Sequence, residues 1–111
     1  MAISEAYSGS ASYGTSETTL NTTTPETTDG IYQLFVDVSA MAAGDIYVFR
    51  IKEKARSGDT QRLLFAFTLS HAQLEPLWCS PALILMHGWD MTIQRSAGSD
   101  RTLNWSIRKV A

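Results

Sequence analysis

The side chains of this 111-residue chain with the strongest claim to chemistry are Cys79, His71 and His87, with Glu75 and Asp90 close by in sequence. A thiolate beside an imidazole that a carboxylate orients is a nucleophile with its base, and Cys79, His87 and Asp90 could spell that arrangement. His71 and Glu75, four apart, would share a helical face and offer two metal ligands. Neither set is complete. A metal site normally converges three or four ligands, and His71 stands in a segment broken by Pro76 with no second ligand pair. Cys79 is flanked by Trp78 and Pro81, and no oxyanion donor can be identified, so a buried structural thiol is the expectation. Ser8-Gly9-Ser10 and Gly14 match no phosphate-cradling fingerprint. The chain is expected to be non-enzymatic, with no metal and no cofactor.

Binding surfaces are the alternative to catalysis. All nine Lys and Arg residues lie at or beyond Arg50, whereas the first 49 residues carry six carboxylates and no basic side chain. Such a split points to contact between unlike surfaces, within one chain or between copies. Arg50, Lys52, Lys54 and Arg56 alternate, which lines four cations along one side of an extended strand and its turn. Nucleic acid is a poor partner for a chain of net charge −2 and pI near 5.5. A solvated face and a protein contact are the two readings left, with the acidic N-terminal segment an obvious counterpart. Trp89 and Trp105 share strand faces with Met91, Ile93, Leu103 and Ile107 and are expected in the core. Trp78 is expected in a long loop as an exposed contact, for a protein or, with nearby tyrosines, for a sugar.

The elements that must position these residues read as strands. From residue 1 to 29, 13 residues are Ser or Thr, and the sizeable apolar groups are Ile3, Tyr7, Tyr13 and Leu20. This stretch cannot build a core alone, and it is expected to be an extended acidic arm that pairs with a sheet edge, distinct from a body over 30–111. Tyr7, Tyr13 and Leu20 are then its anchoring contacts. After Gly30, Tyr32, Leu34, Val36 and Val38 alternate with polar positions as a strand does, and Tyr47, Phe49 and Ile51 repeat the pattern. Between them, Ser39–Gly44 predicts a single helical turn. Ser57-Gly58-Asp59-Thr60 predicts a hairpin into a strand with Leu63, Phe65, Phe67 and Leu69 on one face. Residues 71–81, with two prolines, read as a crossing loop. A second hairpin is expected from residue 83 onward, with a bulge at Gly88 and a turn at Ser96–Asp100.

This pattern predicts an all-β antiparallel sandwich of six to eight strands, with a jelly roll among the Greek-key connectivities open to it. The length suits one domain. The longest apolar run, Pro81–Met86, is far short of the roughly 20 residues a membrane span needs. The opening residues lack a secretory pattern, so synthesis in a cytoplasm is expected, and the one cysteine excludes an internal disulfide. The glycosylation-type triplets at Asn21 and Asn104 read as accidental. Apolar residues on both faces of Leu63–Leu69 and Ala82–Met86 predict central strands or a face covered by another subunit.

The stretch His87-Gly88-Trp89-Asp90-Met91-Thr92-Ile93-Gln94, followed by a turn and Asp100-Arg101-Thr102-Leu103-Asn104-Trp105-Ser106-Ile107-Arg108, resembles the small virion structural proteins of tailed bacteriophages. The Ser/Thr-rich arm and the small β body without a catalytic constellation resemble their capsid decoration, or cement, proteins in particular. The resemblance implies a protein on the capsid surface of the virion that binds the major capsid protein, commonly as a homotrimer. It carries no diagnostic motif, so it assigns no role to a numbered residue. A head-to-tail or tail component and a carbohydrate-binding sandwich are the other readings, with a small Cys79/His87 hydrolase more distant.

Overall fold

The computed structural model describes residues 2–110, and all of its regular structure is strand. The strands are β1 (Ile3–Tyr13), β2 (Thr18–Thr19), β3 (Gly30–Asp37), β4 (Ile46–Glu53), β5 (Arg62–Ser70), β6 (Leu77–Cys79), β7 (Leu83–Leu85), β8 (Asp90–Ala97) and β9 (Arg101–Val110). They form two antiparallel sheets, one in the order β1-β9-β3 with β6 and β7 both on the far edge of β3, the other β2-β8-β4-β5. The molecule measures 41 × 31 × 20 Å, a thickness that suits two face-packed sheets with their side chains.

Alternation explains which residues meet between the sheets. Tyr32, Leu34 and Val36 of β3 with Val38 just after it, and Tyr47, Phe49 and Ile51 of β4, are at most 1% exposed, as their period-2 spacing requires. Trp89, Met91, Ile93, Leu85, Leu103 and Ile107 complete the centre of the core. Tyr32 and Trp89 pack with ring centroids 4.4 Å apart, and the Tyr32 hydroxyl and the Trp89 indole N–H both donate to the Thr28 carbonyl. Each large ring thus buries its apolar body with its polar atom satisfied.

Several local expectations give way to tertiary demands. Ser39–Gly44 holds two successive tight turns instead of a helical turn, closed by Met41 N–H to Val38 C=O and Asp45 N–H to Ala42 C=O. The expected loop at 71–81 contains strand β6, which pairs with Phe35–Asp37 of β3. The expected hairpin over 83–108 does not form. β7 and β9 belong to one sheet and β8 to the other, so the chain crosses between sheets at His87–Gly88 and again at Ser96–Asp100. Gly88 and Gly98 both take positive φ at these crossings, +128° and +86°. A Cβ on Gly98 would stand 2.6 Å from the Asp45 Cα, so this corner admits glycine alone.

The hairpin β4–β5 is present, with an irregularity: Ile51 pairs with Phe65 and Lys52 with Leu63, leaving Leu64 as the extra residue of a bulge. That single insertion puts Leu63 on the outer face beside Lys52, away from Phe65, Phe67 and Leu69, with which simple alternation grouped it. β5 also proves to be an edge strand, and Leu63, Leu64 and Phe67 are 56%, 49% and 38% exposed.

The N-terminal segment joins the same body. β1 runs along β9 of its own chain from Ile3 opposite Val110 to Tyr13 opposite Arg101. Tyr13 and Leu20 belong to the one apolar cluster that holds Leu34, Phe49 and Ile107, so packing is continuous across residue 29.

Candidate functional site

The surface features with the best claim to function lie on the two lateral flanks of the sandwich. On one flank, β1 and β2 are the sheet edges and residues 14–29 strap across them. On the other, β5 and the short pair β6 and β7 are the edges, joined by residues 71–76.

The strapped flank is held by polar side chains. Leu20 N–H donates to Met91 C=O, and Glu26 and Trp89 exchange backbone hydrogen bonds at 2.9 Å. Asn21, 1% exposed, accepts from Met91 N–H at 2.9 Å and donates to the Thr23 carbonyl and the Asp90 carboxylate, each at 2.8 Å. Its amide is fully engaged, so this triplet cannot carry a glycan on the folded chain. Truncating Asn21 would orphan the buried Met91 N–H, a loss of about 1–3 kcal/mol. Glu26 is 8% exposed; its carboxylate accepts from the Tyr7 hydroxyl, the Thr27 and Thr28 N–H groups and the Thr28 hydroxyl. Burial alone would raise the Glu26 carboxyl, but those donors outweigh it and hold the group below its ordinary value.

Glu17 settles the charge split. Its carboxylate accepts from the Thr92 hydroxyl at 2.6 Å and pairs with Lys52 at 3.0 Å and Arg50 at 3.6 Å. Burial pushes its carboxyl up, and Thr92, Lys52 and Arg50 together bring it net below the ordinary range. The acidic segment and the basic strand therefore meet within one chain. The rest of the basic row is dispersed: the Lys54 stem lies against Gly88, and Arg56 pairs across its own turn with Asp59 at 3.1 Å. Exposed pairs of this last kind contribute little to stability.

The anchors expected to face a neighbour are turned inward. Tyr13 and Leu20 are 6% and 5% exposed, and the Tyr13 hydroxyl accepts from the Trp105 indole at 2.6 Å. Tyr7 is half-buried on Glu26. Trp78 is no exposed loop contact. It stands half-buried on β6, stacked between Phe49 and Phe67 at 5.1 and 5.0 Å, and so plugs the core at the second flank.

The catalytic constellation does not assemble. Cys79 is exposed on β6, contrary to the expected buried thiol, because it pairs with Phe35 on the outer face while Trp78 takes the inner one. Both Asp90 oxygens accept amide protons, from Asn21 at 2.8 Å and Gln61 at 3.0 Å, so the carboxylate braces loops instead of orienting His87. His71, at φ 64°, accepts from Gly44 N–H through Nδ1 and fastens a turn. Among the described residues no three His, Cys, Asp or Glu side chains converge as a metal site.

Sequence reasoning passed over Asp45, which is 1% exposed. Its carboxylate accepts from Ser99 N–H, Ala42 N–H and Arg101 Nε, and these bonds lower its pKa to about 2. The Asp-before-strand position gave no signal, since two of its three partners, Ser99 and Arg101, lie 54 and 56 residues away. Glu53 likewise accepts the Met86 and His87 N–H groups and fixes the crossing into β8.

The second flank is apolar on its outside. Leu63, Leu64 and Phe67 on β5, Leu77 on β6, Ile84 on β7 and nearby Met86 are each at least 38% exposed. Natural sheets normally blunt such edges with charge, proline or cover. No protein-family model matches this chain, and no curated protein matches it.

Proposed function

We propose that this chain is a non-enzymatic structural protein of the tailed-bacteriophage virion, of the capsid decoration or cement kind, which binds the major capsid protein and works by assembling. The observation that carries the reading is the contrast between a polar interior that is fully used and an apolar flank that is not. Among the described residues no buried side-chain polar atom lacks a hydrogen-bond partner, so the buried polar groups are spent on holding the fold. The exposed leucine, isoleucine, methionine and phenylalanine side chains of the second flank are what a protein partner would cover.

Strand order supports a jelly-roll reading of the sandwich. With β6 and β7 taken as one strand interrupted at residues 80–82, eight strands pair first with last, second with seventh, third with sixth and fourth with fifth. That is a two-stranded ribbon wrapped into a barrel-like sandwich, an architecture common in capsid proteins and in lectins. The lectin-like alternative is the less supported, because the Trp78 ring is already stacked against two phenylalanine rings, Phe49 and Phe67. β1 is the element through which an arm could still reach a neighbour: as a terminal strand on a sheet edge, it can be exchanged between copies.

The test is addition of the purified chain to heads and, separately, to tails of the phage that encodes it, followed by sedimentation. Co-sedimentation with heads, saturating at a fixed ratio and raising their resistance to heat, is the expected result. Binding to tails alone would move the chain to a tail role, and binding to neither would overturn the virion reading.

A further inference from the structure

We infer that β5 is a self-pairing edge, through which two copies of this chain join antiparallel about a two-fold axis centred on Phe67. The inference stands on the edge itself and not on the virion reading: a chain that dimerises yet ignores phage heads would overturn only the latter.

The four sheet edges differ in how they are guarded. β2 is two residues long, and β6 and β7 are three residues each, separated by Ser80, Pro81 and Ala82. β1 is long, but it carries Ser4, Glu5, Ser8, Ser10 and Ser12 and has a bulge between Glu5 and Tyr7. β5 alone combines length with apolar character: nine residues, no proline, and a single charge at Arg62. Its bulge at Leu64 guards one end only. Past that bulge, Phe65 to Ser70 is a regular, uncharged stretch with free backbone donors and acceptors on its outer side.

The sidedness of strands selects the register. Two copies continuing one sheet must set inward residues opposite inward residues, so the axis passes through a residue and not between two. Centred on Phe67, Phe65–Leu69 pairs with itself in full: Phe65 opposite the partner's Leu69, Phe67 opposite the partner's Phe67, Ala66 opposite the partner's Thr68. Phe67 stacks on Trp78 and, on its own strand, on Phe65, and still leaves 38% of its surface open. A second Phe67 is the apolar ring that would cover it.

Charge complements this register. The two Arg62 residues stand about 33 Å apart, too far to repel. Arg62, which has no carboxylate partner among the described residues, comes level with the partner's 70–76 connection, whose Glu75 is also without an ion pair there. The closed product is a continuous eight-stranded sheet, β2-β8-β4-β5 joined to its copy. An isologous pairing closes at two copies, where the phage resemblance implied three.

Sedimentation equilibrium of the full chain in reducing buffer, which keeps exposed Cys79 from linking copies, should give a dimer. Thr68→Lys and Ala66→Glu sit on the exposed outer face, and each should weaken the dimer about tenfold, because each brings like charges together across the axis. The double variant Ala66→Glu/Thr68→Lys should recover the dimer, since the register sets each new charge opposite its complement. A monomer or a trimer would overturn the proposal, as would a dimer indifferent to both single substitutions. Failure of the double variant to recover would overturn the axis through Phe67. A measurement needing no substitution backs these up: amide exchange of Phe65–Leu69 in the wild-type chain should slow as the dimer forms, and unchanged exchange would also overturn it.

Discussion

β1 and β5 are both long strands at the margin of a sheet, yet they are made of different material. β1 has eleven residues with serine at four positions and a carboxylate; β5 has nine, of which six are Leu, Phe or Ala. On the β1 side, the chain returns over the sheets and ties them with Glu17, Asn21 and Glu26, so the margin is shut by hydrogen bonds within the chain. On the β5 side, Trp78 plugs the gap and the apolar residues outside it are left in solvent. A small sandwich needs both sheet faces covered to fold, but it can leave a margin for a partner. The side that is polar outside and tied inside serves folding, and the side that is apolar outside is the one our proposal gives to a partner.

The strongest way to break this comparison is to delete residues 1–29. If they were a separable arm, the remaining body would still fold. Because Tyr13, Leu20 and Glu26 are core residues here, the truncated chain should lose cooperative thermal unfolding altogether. A sharp transition near the wild-type temperature would restore the separable arm.

Acid should distinguish the flanks more gently. Glu17, Glu26 and Asp45 titrate below their ordinary values when folded, Asp45 at about 2. In the unfolded chain they bind protons near pH 4, so on acidification the unfolded state takes up protons first and is favoured. The stabilisation is complete above about pH 4.5 and drains away as the pH falls toward about 2. Urea midpoints measured down this range should fall, and hydrogen exchange should quicken at β1 and β2 before β4 and β5. Asp45→Asn should be less stable near neutrality and should lose less between about pH 4 and 2. A flat midpoint across that range would show that these carboxylates are not held as described.

The smallest effect belongs to the open flank. Leu63→Ser removes an apolar side chain that is 56% exposed, so stability should change by no more than about 0.5 kcal/mol. Solubility should rise, as read by the concentration at which the chain precipitates. A loss of several kcal/mol would mean that Leu63 is buried in the working protein, and would turn attention to the assembled form.

What could be read from residue order follows from locality. The alternation of Tyr32 to Val38 and of Tyr47 to Ile51 specifies both strand and inward face, because a side chain's direction on a strand depends only on its parity. The β4–β5 hairpin was legible for the same reason, as its turn lies in four consecutive residues. Parity fails at one inserted residue, and Leu64 inverted the expected side of Leu63. The candidate site was legible in part: the acidic and basic segments do meet, through Glu17, Arg50 and Lys52, but within one chain.

Composition and periodicity by themselves determined an all-β chain and, strand by strand, which positions are apolar. Which sheet each strand joins was decided by tertiary structure alone. Ser96–Asp100 has the residues of a hairpin turn, yet it spans between sheets, because Asp45 binds Ser99 and Arg101 while the Tyr47 hydroxyl accepts the Arg101 N–H. Those partners stand more than fifty residues away in sequence. A turn's local energy cannot choose between two sheets; the groups that chose come together only when both sheets are in place.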